Sequence, residues 1–472
     1  MRNIGFLLAM VGILPLAFAT PANAIILWAW SAMLSPSETL YDPLKGFPLQ
    51  KIFALIGIGA FLLIPQKRRV RFDASLILMI ALLIDGTISE AVSPWSWDHG
   101  WFIQDGLMKV VVLACLVSWV MTDRLRIHSL VFAMCIGMAF SGVWDGTLFF
   151  LSGGTHQVRP IAGHGDNNEF ALLIDMTIPL VFYLWRQSEE KLVRIACLVV
   201  VFLFVGAVMA TRSRGGFAGM ALMGILVAFF SRRRILALIM VGVLGAGIIA
   251  FSPSKVTERL QTIETADQDS SFMGRVIAWK ISTLIALDRP LIGGGFYAVQ
   301  NWDVWVHFWP EFDRLSFIPT AQPDTTKAHA AHSVYFEVLG DLGFPGLAIF
   351  LGMVGSGFLH TRRIRKLSRG KPELKWAYDL ARATELSLIL LLTSGGLLST
   401  AYYEINYLIL GLISATRRHV METVAQQGVP APARPSRIRF GGGAVGAPAA
   451  AGVAAGMNPQ RPWMRYRTDR PL

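Results

Sequence analysis

The feature that most constrains this fold is a series of long apolar runs separated by short polar loops. Most of the runs are long enough to cross about 30 Å of hydrocarbon as a helix. The runs lie near residues 4–20, 49–65, 74–92, 107–121, 129–151, 169–185, 192–210, 216–230, 235–251, 333–359, 383–400 and 402–416. They predict an all-α, polytopic membrane protein with about twelve transmembrane helices.

Composition agrees with this class and excludes a soluble domain, because 54% of the 472 residues are hydrophobic and only 16% are charged. The net charge of +12 does not indicate nucleic-acid binding, since the basic residues cluster in loops between apolar runs. The clusters fall at 67–69, 124–126, 186–194, 232–234, 362–371 and 417–418. Successive clusters are two runs apart, so all six can face the cytoplasm together.

The same parity places the remaining loops on the outer side, which is periplasmic in a Gram-negative cell. These loops are 93–106, 152–168, 211–215, 252–332 and the turn at 400–402. The apolar stretch 25–33 is too short to cross and would break the parity, so we expect it to be interfacial or re-entrant. Loop 252–332 is too long for a simple connector and predicts a small outer cap.

The chain divides into three predicted regions: an N-terminal transmembrane region over 1–150, a transmembrane core over 151–420 that includes the outer loop, and a tail over 421–472. The tail is rich in Pro, Ala, Gly and Arg. A segment of this composition buries too little apolar area to fold, so we expect a disordered, basic, cytoplasmic tail in contact with membrane lipids.

Arginines occur where charge is costly, in the run Thr211-Arg212-Ser213-Arg214-Gly215-Gly216 between two apolar segments. Guanidinium groups form forked bonds to phosphate oxygens, and glycines allow a headgroup to approach the backbone. The run therefore predicts a site for a lipid-linked phosphate or pyrophosphate at the outer boundary, to which Arg212 and Arg214 contribute.

The outer loop carries a predicted helix from about Phe272 to Leu287, with an apolar face that we expect on the bilayer surface. Arg275 and Trp279 are one turn apart on it, and either stack together, approach a phosphate together, or anchor the helix at the interface. An aromatic cluster over 296–317 follows. Aromatic residues at this density either stack on sugars or seat a loop at the lipid headgroups.

Two polar groups border the outer ends of apolar runs. His332 is placed to act as a base towards a hydroxyl, or to cap a helix. In the run Asp166-Asn167-Asn168-Glu169, Asp166 or Asn167 is a candidate N-cap with Glu169 in the first turn. Alternatively, Asp166, Asn167 and Glu169 bind acceptor hydroxyls or orient a catalytic base.

Three motifs in order resemble the O-antigen ligase and polymerase superfamily. They are the run at 211–216, which is similar to its SRGG-type element, Gly274-Arg275-Val276-Ile277-Ala278-Trp279, similar to GRxxxW, and His332-Ser333-Val334-Tyr335 with Leu339 and Gly343, similar to HSxYxxxLxxxG. The resemblance covers about residues 150–360. The run at 166–169 and Trp28-Ala29-Trp30 are similar to the branch of O-glycosylation ligases associated with exosortase A.

The resemblance implies transfer of a glycan from an undecaprenyl-pyrophosphate donor to an acceptor hydroxyl at the outer face of the bacterial inner membrane. Arg214, Arg275 and His332 would be catalytic, and Arg212, Trp279, Tyr335 and the 166–169 run would bind substrate. The acceptor would be a lipid, a glycan or a protein. No metal or other cofactor is expected, because the chain has no obvious outer-face DxD or His/carboxylate ligand set and guanidinium groups can neutralise the pyrophosphate.

Two other functions remain open from the sequence. A repeat-unit polymerase of the same superfamily would use another lipid-linked glycan as acceptor. A transporter or flippase of anionic lipid-linked glycan would not be an enzyme, and it is expected to carry charges deep within several helices. From the sequence we expect the candidate charges of this chain to collect at one face, which favours transfer.

Overall fold

The computed structural model describes residues 2–35, 45–64, 70–158, 166–229, 270–320 and 327–427. Within these ranges the regular secondary structure is helical, and no strand occurs in them. The α-helices are α1 (Arg2–Ala19), α2 (Pro21–Leu34), α3 (Leu49–Leu63), α4 (Ala74–Val92), α5 (Asp98–Val120), α6 (Arg124–Leu151), α7 (Asn167–Gln187), α8 (Lys191–Thr211), α9 (Arg214–Phe229), α10 (Ser270–Asp288), α11 (Trp302–Phe308), α12 (Val334–Ser368), α13 (Lys375–Thr393) and α14 (Glu404–Gln427). Short 3-10 turns occur at Ala298–Gln300, Trp309–Leu315, Pro372–Leu374 and Gly395–Leu397.

The chain is a polytopic helical membrane protein, as predicted. Among the described residues, seven helical segments are long and apolar enough to cross a bilayer: α4 to α8, α12, and the segment Pro372–Leu397 that contains α13. The helices α2, α3 and α9 are apolar but shorter. The predicted span 235–251 lies outside the described residues, as does most of the predicted tail, so the total of twelve spans stays a prediction.

The stretch that is too short to span forms α2 and lies inside the bundle. The Thr20 side chain caps its first turn by accepting the Asn23 amide proton at 3.2 Å. Trp28 and most other α2 side chains are buried, and the helix packs against α3 and α6. The contact with α6 is close, because a Cβ on Gly137 would lie 2.7 Å from the Cβ of Met33.

One end of the bundle is basic. Arg186 approaches Asp379 at 3.5 Å, and Arg417 approaches Asp73 at 3.6 Å. The basic residues joined by contacts at this end are Arg71, Arg124, Arg126, Arg186, Arg365, Arg417 and Arg418. The contacts confirm that the described basic clusters share one side of the protein. Clusters 67–69 and 232–234 lie outside the described residues.

The opposite end, here called the loop end, holds residues 93–97, 152–158, 166, 211–213, 289–320, 327–333 and 394–403. Hydrogen bonds join these loops to each other: Ser93 to the Gly294 carbonyl, Arg212 to the Thr155 carbonyl, the His332 amide to Ser399, and Tyr403 to Glu169. The parity of the apolar runs therefore grouped these loops correctly.

Helix α12 is broken within the membrane-spanning region. Gly343 has a φ of 68° and a ψ of −163°, a conformation that essentially requires glycine. The break exposes backbone groups of α12, and the turn at 289–295 bonds to them. The Gly294 and Gly295 amides donate to the Gly340 and Asp341 carbonyls at 2.9 and 3.0 Å, and the Phe344 amide donates to the Pro290 carbonyl at 3.0 Å.

The outer loop builds a cap with its own hydrophobic core. The helix predicted from Phe272 to Leu287 is confirmed as α10. Its apolar face is buried in protein rather than laid on a bilayer surface: Ile277, Ile281, Leu284 and Ile285 pack with Val304, Trp305, Phe308 and Phe312. Neither proposed role of the aromatic cluster, sugar stacking or membrane seating, holds for these buried rings, whereas Trp309 and Phe317 are exposed.

The junction between the cap and α12 gives a testable prediction. A Cβ on Gly293 would lie 2.4 Å from the Asp341 carbonyl oxygen, and Gly293 has a φ of +59°. We expect Gly293→Ala to lower stability by about 1–3 kcal/mol through backbone strain, measured as a lower midpoint of thermal unfolding in detergent. Gly355→Ala is the control, because a Cβ at this position of α12 would meet nothing within 4 Å. Equal midpoints for the two variants would contradict the prediction.

Candidate functional site

The arginine run at 211–213 forms the turn between α8 and α9. Arg212 adopts a left-handed backbone with φ of 54°, which ends α8. Ser213 then starts α9, since its Oγ accepts the Gly216 amide proton at 3.0 Å. The Arg212 guanidinium donates to the Thr155 carbonyl at 3.3 Å, and Arg214 is the first residue of α9. The turn therefore presents both arginines at the loop end.

The two glycines of the run have different surroundings. A Cβ on Gly216 would lie 2.5 Å from the Cβ of Ala171, so this glycine lets α9 pack closely against α7. A Cβ on Gly215 would meet only Ser213 Oγ, at 3.8 Å. Close approach of a headgroup to the backbone, which we predicted for both glycines, is thus open at Gly215, whereas Gly216 serves helix packing.

The 166–169 run is a capping box at the start of α7. The Asp166 carboxylate accepts the amide protons of Asn168 and Glu169 at 2.7 and 3.0 Å. Glu169 Oε2 accepts the Asp166 amide proton at 2.9 Å and the Tyr403 hydroxyl proton at 2.7 Å. The N-cap interpretation of Asp166 is confirmed. Asn167 is the first residue of α7, and its buried Oδ1 has no hydrogen-bond partner among the described residues.

Helix α10 supports the segment that carries His332. The Trp279 indole donates to the Ala331 carbonyl at 2.7 Å, and its ring stacks on Phe336 with centroids 5.1 Å apart. Trp279 therefore contacts residues that precede and follow His332 in the chain. Arg275 lies one turn earlier on α10.

His332 lies where α10, α7 and the turn at 399–403 meet. Its backbone is left-handed, with φ of 44°, and its amide donates to Ser399 Oγ at 3.0 Å. Its ring Nδ1 is buried and has no hydrogen-bond partner among the described residues. A left-handed non-glycine residue with an unsatisfied buried nitrogen is costly, and such features concentrate at functional sites.

Burial and charged neighbours together set the pKa of His332. Burial is the largest influence and lowers the pKa of the imidazole below its ordinary value. The Asp166 carboxylate acts in the opposite direction, and the positive charges of Arg275 and His329 lower the pKa further. His332 therefore stays neutral, and able to accept a proton, to lower pH than an exposed histidine.

Tyr335, the fourth residue of the His332 motif, anchors one helix to another. Its hydroxyl donates to the Leu392 carbonyl near the end of α13, and its ring lies against Gly396. The hydroxyl is thus engaged within the protein. Substrate binding by Tyr335, predicted from the motif, would use the ring.

Sequence reasoning missed two buried carboxylates that hold the turn at 399–403. Glu337 is 2% exposed and accepts the Ala401 amide proton at 3.0 Å. Asp341 is fully buried and accepts the Tyr402 hydroxyl proton at 3.0 Å. Their spacing of four residues on α12 was a visible signal, because both point to one face of a helix.

The structure brings three of the predicted site residues, His332, Asp166 and Arg275, into one electrostatic cluster. His332, Asp166 and Arg275 interact electrostatically, and Trp279 fixes the chain beside them. Arg212 and Arg214 belong to a neighbouring part of the loop end. The contact between Gly216 and Ala171 links the two parts. Ala171 lies five residues after Asp166, which is about 8 Å along α7 at 1.5 Å per residue.

Two family models match the chain. Residues 198–351 match a model described as O-antigen ligase, and residues 1–189 match one described as a family of unknown function (DUF5935). No curated protein matches the chain. The first match contains Arg212, Arg275 and His332, whereas Asp166 and Glu169 lie in the second.

The anchoring role of Tyr335 is testable. We expect Tyr335→Phe to lower stability by about 1 kcal/mol, since the Leu392 carbonyl loses the hydroxyl that donates to it. The midpoint of thermal unfolding in detergent measures this loss. Tyr378→Phe, in α13 at the basic end, is the matched control because its hydroxyl forms no hydrogen bond with the described residues. A Tyr335→Phe midpoint equal to that of the control would refute the anchor.

Proposed function

Because this chain belongs to the O-antigen ligase superfamily, we propose that it is a membrane glycosyltransferase that moves a glycan from an undecaprenyl-pyrophosphate donor to an acceptor hydroxyl. The reaction would take place at the outer face of the bacterial inner membrane, at the loop end of the bundle. The basic end opposite it supports this orientation, since basic residues favour the cytoplasmic side.

The chemistry of the transfer assigns a role to each charged group. The acceptor oxygen forms a bond to the anomeric carbon, the sugar–phosphate bond breaks, and the electron pair leaves with the pyrophosphate. His332 takes the proton of the acceptor hydroxyl. Arg212, Arg214 and Arg275 stabilise the charge that develops on the pyrophosphate, and such groups contribute most when they bind the transition state more tightly than the substrate.

The observation that carries the proposal is the setting of His332. Its buried Nδ1 has no bonding partner among the described residues, while Asp166 and Arg275 act on the ring from two different helices. A neutral imidazole whose backbone is held in place and whose Nδ1 has no bonding partner among the described residues can accept a proton, as a general base must. Trp279 and Ser399 would be its positioning residues, through their bonds to Ala331 and to the His332 amide.

The identity of the acceptor distinguishes a ligase from a polymerase. We favour a ligase of the O-glycosylation type associated with exosortase A, on the resemblance of residues 166–169 and 28–30 to that branch. A ligase delivers the glycan to a lipid, a protein or another terminal acceptor. A polymerase would instead extend one lipid-linked glycan with another and produce a ladder of lengths.

Two carboxylates within membrane-spanning helices favour a transporter as the second candidate function. We expected the charges to collect at one face, but Asp85 and Asp175 lie near the middle of α4 and α7, and Asp175 is fully buried. Both Asp175 oxygens lack a hydrogen-bond partner among the described residues. Carboxylates in this position are found in proton and ion pathways, so an assay without any ion gradient is needed.

Transfer by purified protein is the decisive test. Detergent-solubilised protein, given undecaprenyl-pyrophosphate-linked glycan and an acceptor without an ion gradient or nucleotide, is expected to release undecaprenyl pyrophosphate. His332→Gln and Arg275→Lys should lower the rate by about 10²–10⁴-fold, whereas Arg314→Lys, an exposed arginine of the cap, should keep it. Donor conversion that occurs only with a gradient would favour the transporter, and a ladder of products would favour the polymerase.

The same variants can be followed in cells. A deletion strain complemented with Arg214→Lys, Arg275→Lys or His332→Gln should accumulate undelivered lipid-linked glycan, provided that each variant reaches the membrane at wild-type level. Normal glycan delivery by all three variants would show that these residues do not form the active site.

The pH dependence of transfer tests the link between Asp166 and His332. The low pKa of His332 places the acid limb of the rate profile below about 6.5, the ordinary histidine value. Asp166→Asn keeps an N-cap residue but removes the charge that raises this pKa. We therefore expect the acid limb to move to still lower pH.

The facing groups of His332 are Asp166, Arg275 and His329, so a change at a distant carboxylate should leave the limb unmoved. Asp303→Asn, at an exposed position of α11, is the control for this. An acid limb that stays in place in Asp166→Asn, or that moves to higher pH, would rule out the electrostatic coupling.

A further inference from the structure

Helix α6 carries a carboxylate inside a membrane-spanning segment, close to the loop end. Asp145 lies about two turns before the end of α6, and its side chain is 10% exposed. A charged group at this depth is costly and usually has a partner and a function. The partner is His156, whose Nε2 lies 2.9 Å from Asp145 Oδ1.

The segment after α6 folds back to make this contact. Ser152 Oγ accepts the His156 amide proton at 2.8 Å, and the Val158 amide donates to the Ala210 carbonyl at 3.1 Å. Residues 155–158 therefore run beside the end of α8. The helices α6 and α8 touch through their backbones, since a Cβ on Gly146 would lie 1.9 Å from the Leu203 carbonyl oxygen.

This arrangement makes His156 a neighbour of Arg212. The Arg212 guanidinium donates to the carbonyl of Thr155, the residue before His156. Asp145 fixes the imidazole through Nε2, so Nδ1 is the ring atom left to bond to a ligand, and none of the described residues bonds to it. An imidazole that donates from Nε2 to Asp145 and from Nδ1 to a bound phosphate would form, with the guanidinium, a pair of donors that suits phosphate oxygens.

We propose that His156, oriented by Asp145, and Arg212 form a phosphate-binding subsite for the pyrophosphate of the lipid-linked donor. The inference rests on the proposed function, because that function supplies the ligand. It adds a residue outside the three motifs and outside the segment that matches O-antigen ligase. The subsite lies on the α6–α8 side of the loop end, whereas His332 would meet the acceptor, and Arg275 the pyrophosphate, from the cap side.

Direct binding tests the subsite without relying on turnover. Undecaprenyl pyrophosphate and phosphatidylglycerol are titrated separately into the full-length protein in detergent, and bound lipid is measured by native mass spectrometry. We expect His156→Gln to weaken undecaprenyl pyrophosphate binding about tenfold, as for loss of one charge-assisted bond, with little change in phosphatidylglycerol binding. Arg212→Gln should weaken it similarly, and His307→Gln, an exposed histidine of the cap, should not.

His156→Arg tests whether His156→Gln weakens binding only because the local structure around Asp145 is lost. Arginine can pair with Asp145 and still donate to phosphate, so this variant should bind undecaprenyl pyrophosphate more tightly than His156→Gln. Binding by His156→Gln equal to that of the wild type overturns the subsite, as does a loss confined to phosphatidylglycerol. If the subsite fails this test but the wild-type protein transfers glycan, the proposed function stands without the subsite. If the wild-type protein neither binds undecaprenyl pyrophosphate nor transfers glycan, both the subsite and the proposed function are wrong.

Discussion

Backbone hydrogen bonding at a break in a membrane-spanning helix is the constraint on which the loop end depends. A helix that spans a bilayer must satisfy its own amides and carbonyls, and a break leaves groups that only protein can bond. Helix α12 breaks at Gly343, and the turn at 289–295 bonds to the groups on either side of the break. The break therefore ties the cap to the membrane core. Because α10 belongs to that cap, the tie also sets the position of Arg275 relative to His332, which precedes α12.

A second set of bonds completes this arrangement from the opposite side. Glu337 and Asp341, on one face of α12, bond to Ala401 and Tyr402, while Tyr403 bonds to Glu169 on α7. Buried carboxylates are costly unless several donors satisfy them, so these bonds stabilise one conformation of the turn at 399–403. Ser399 of the same turn bonds to the His332 amide. The turn thus couples the N-terminus of α12 to that of α7, where Asp166 lies.

Hydropathy and local motifs predicted what depends on local chemistry. The apolar runs gave the helical membrane class and grouped the loops, and the spacing at 166–169 gave the capping box, because a cap needs only residues three positions apart. What depends on distant contacts was missed. Trp279 looked like a partner for Arg275 on the same helix face, yet its indole bonds to Ala331, 52 residues later. Gly216 looked like an opening for a ligand, yet it admits Ala171 of another helix.

The charged residues of the loop end come from both matched segments, and this bears on how such a protein works. Asp145, His156 and Asp166 lie within the segment of unknown function, whereas Arg212, Arg275 and His332 lie within the O-antigen ligase segment. Asp166 of the first segment acts on the His332 imidazole of the second. Asp145 orients the His156 imidazole, and Arg212 of the second segment bonds to the residue before it. A ligand with several negative charges needs cations whose positions are fixed before it arrives, since reorganising them would reduce the stabilisation. In the proposed function, the N-terminal segment would therefore do more than hold the protein in the membrane, because Asp145 and Asp166 would orient or balance the positive groups that meet the donor.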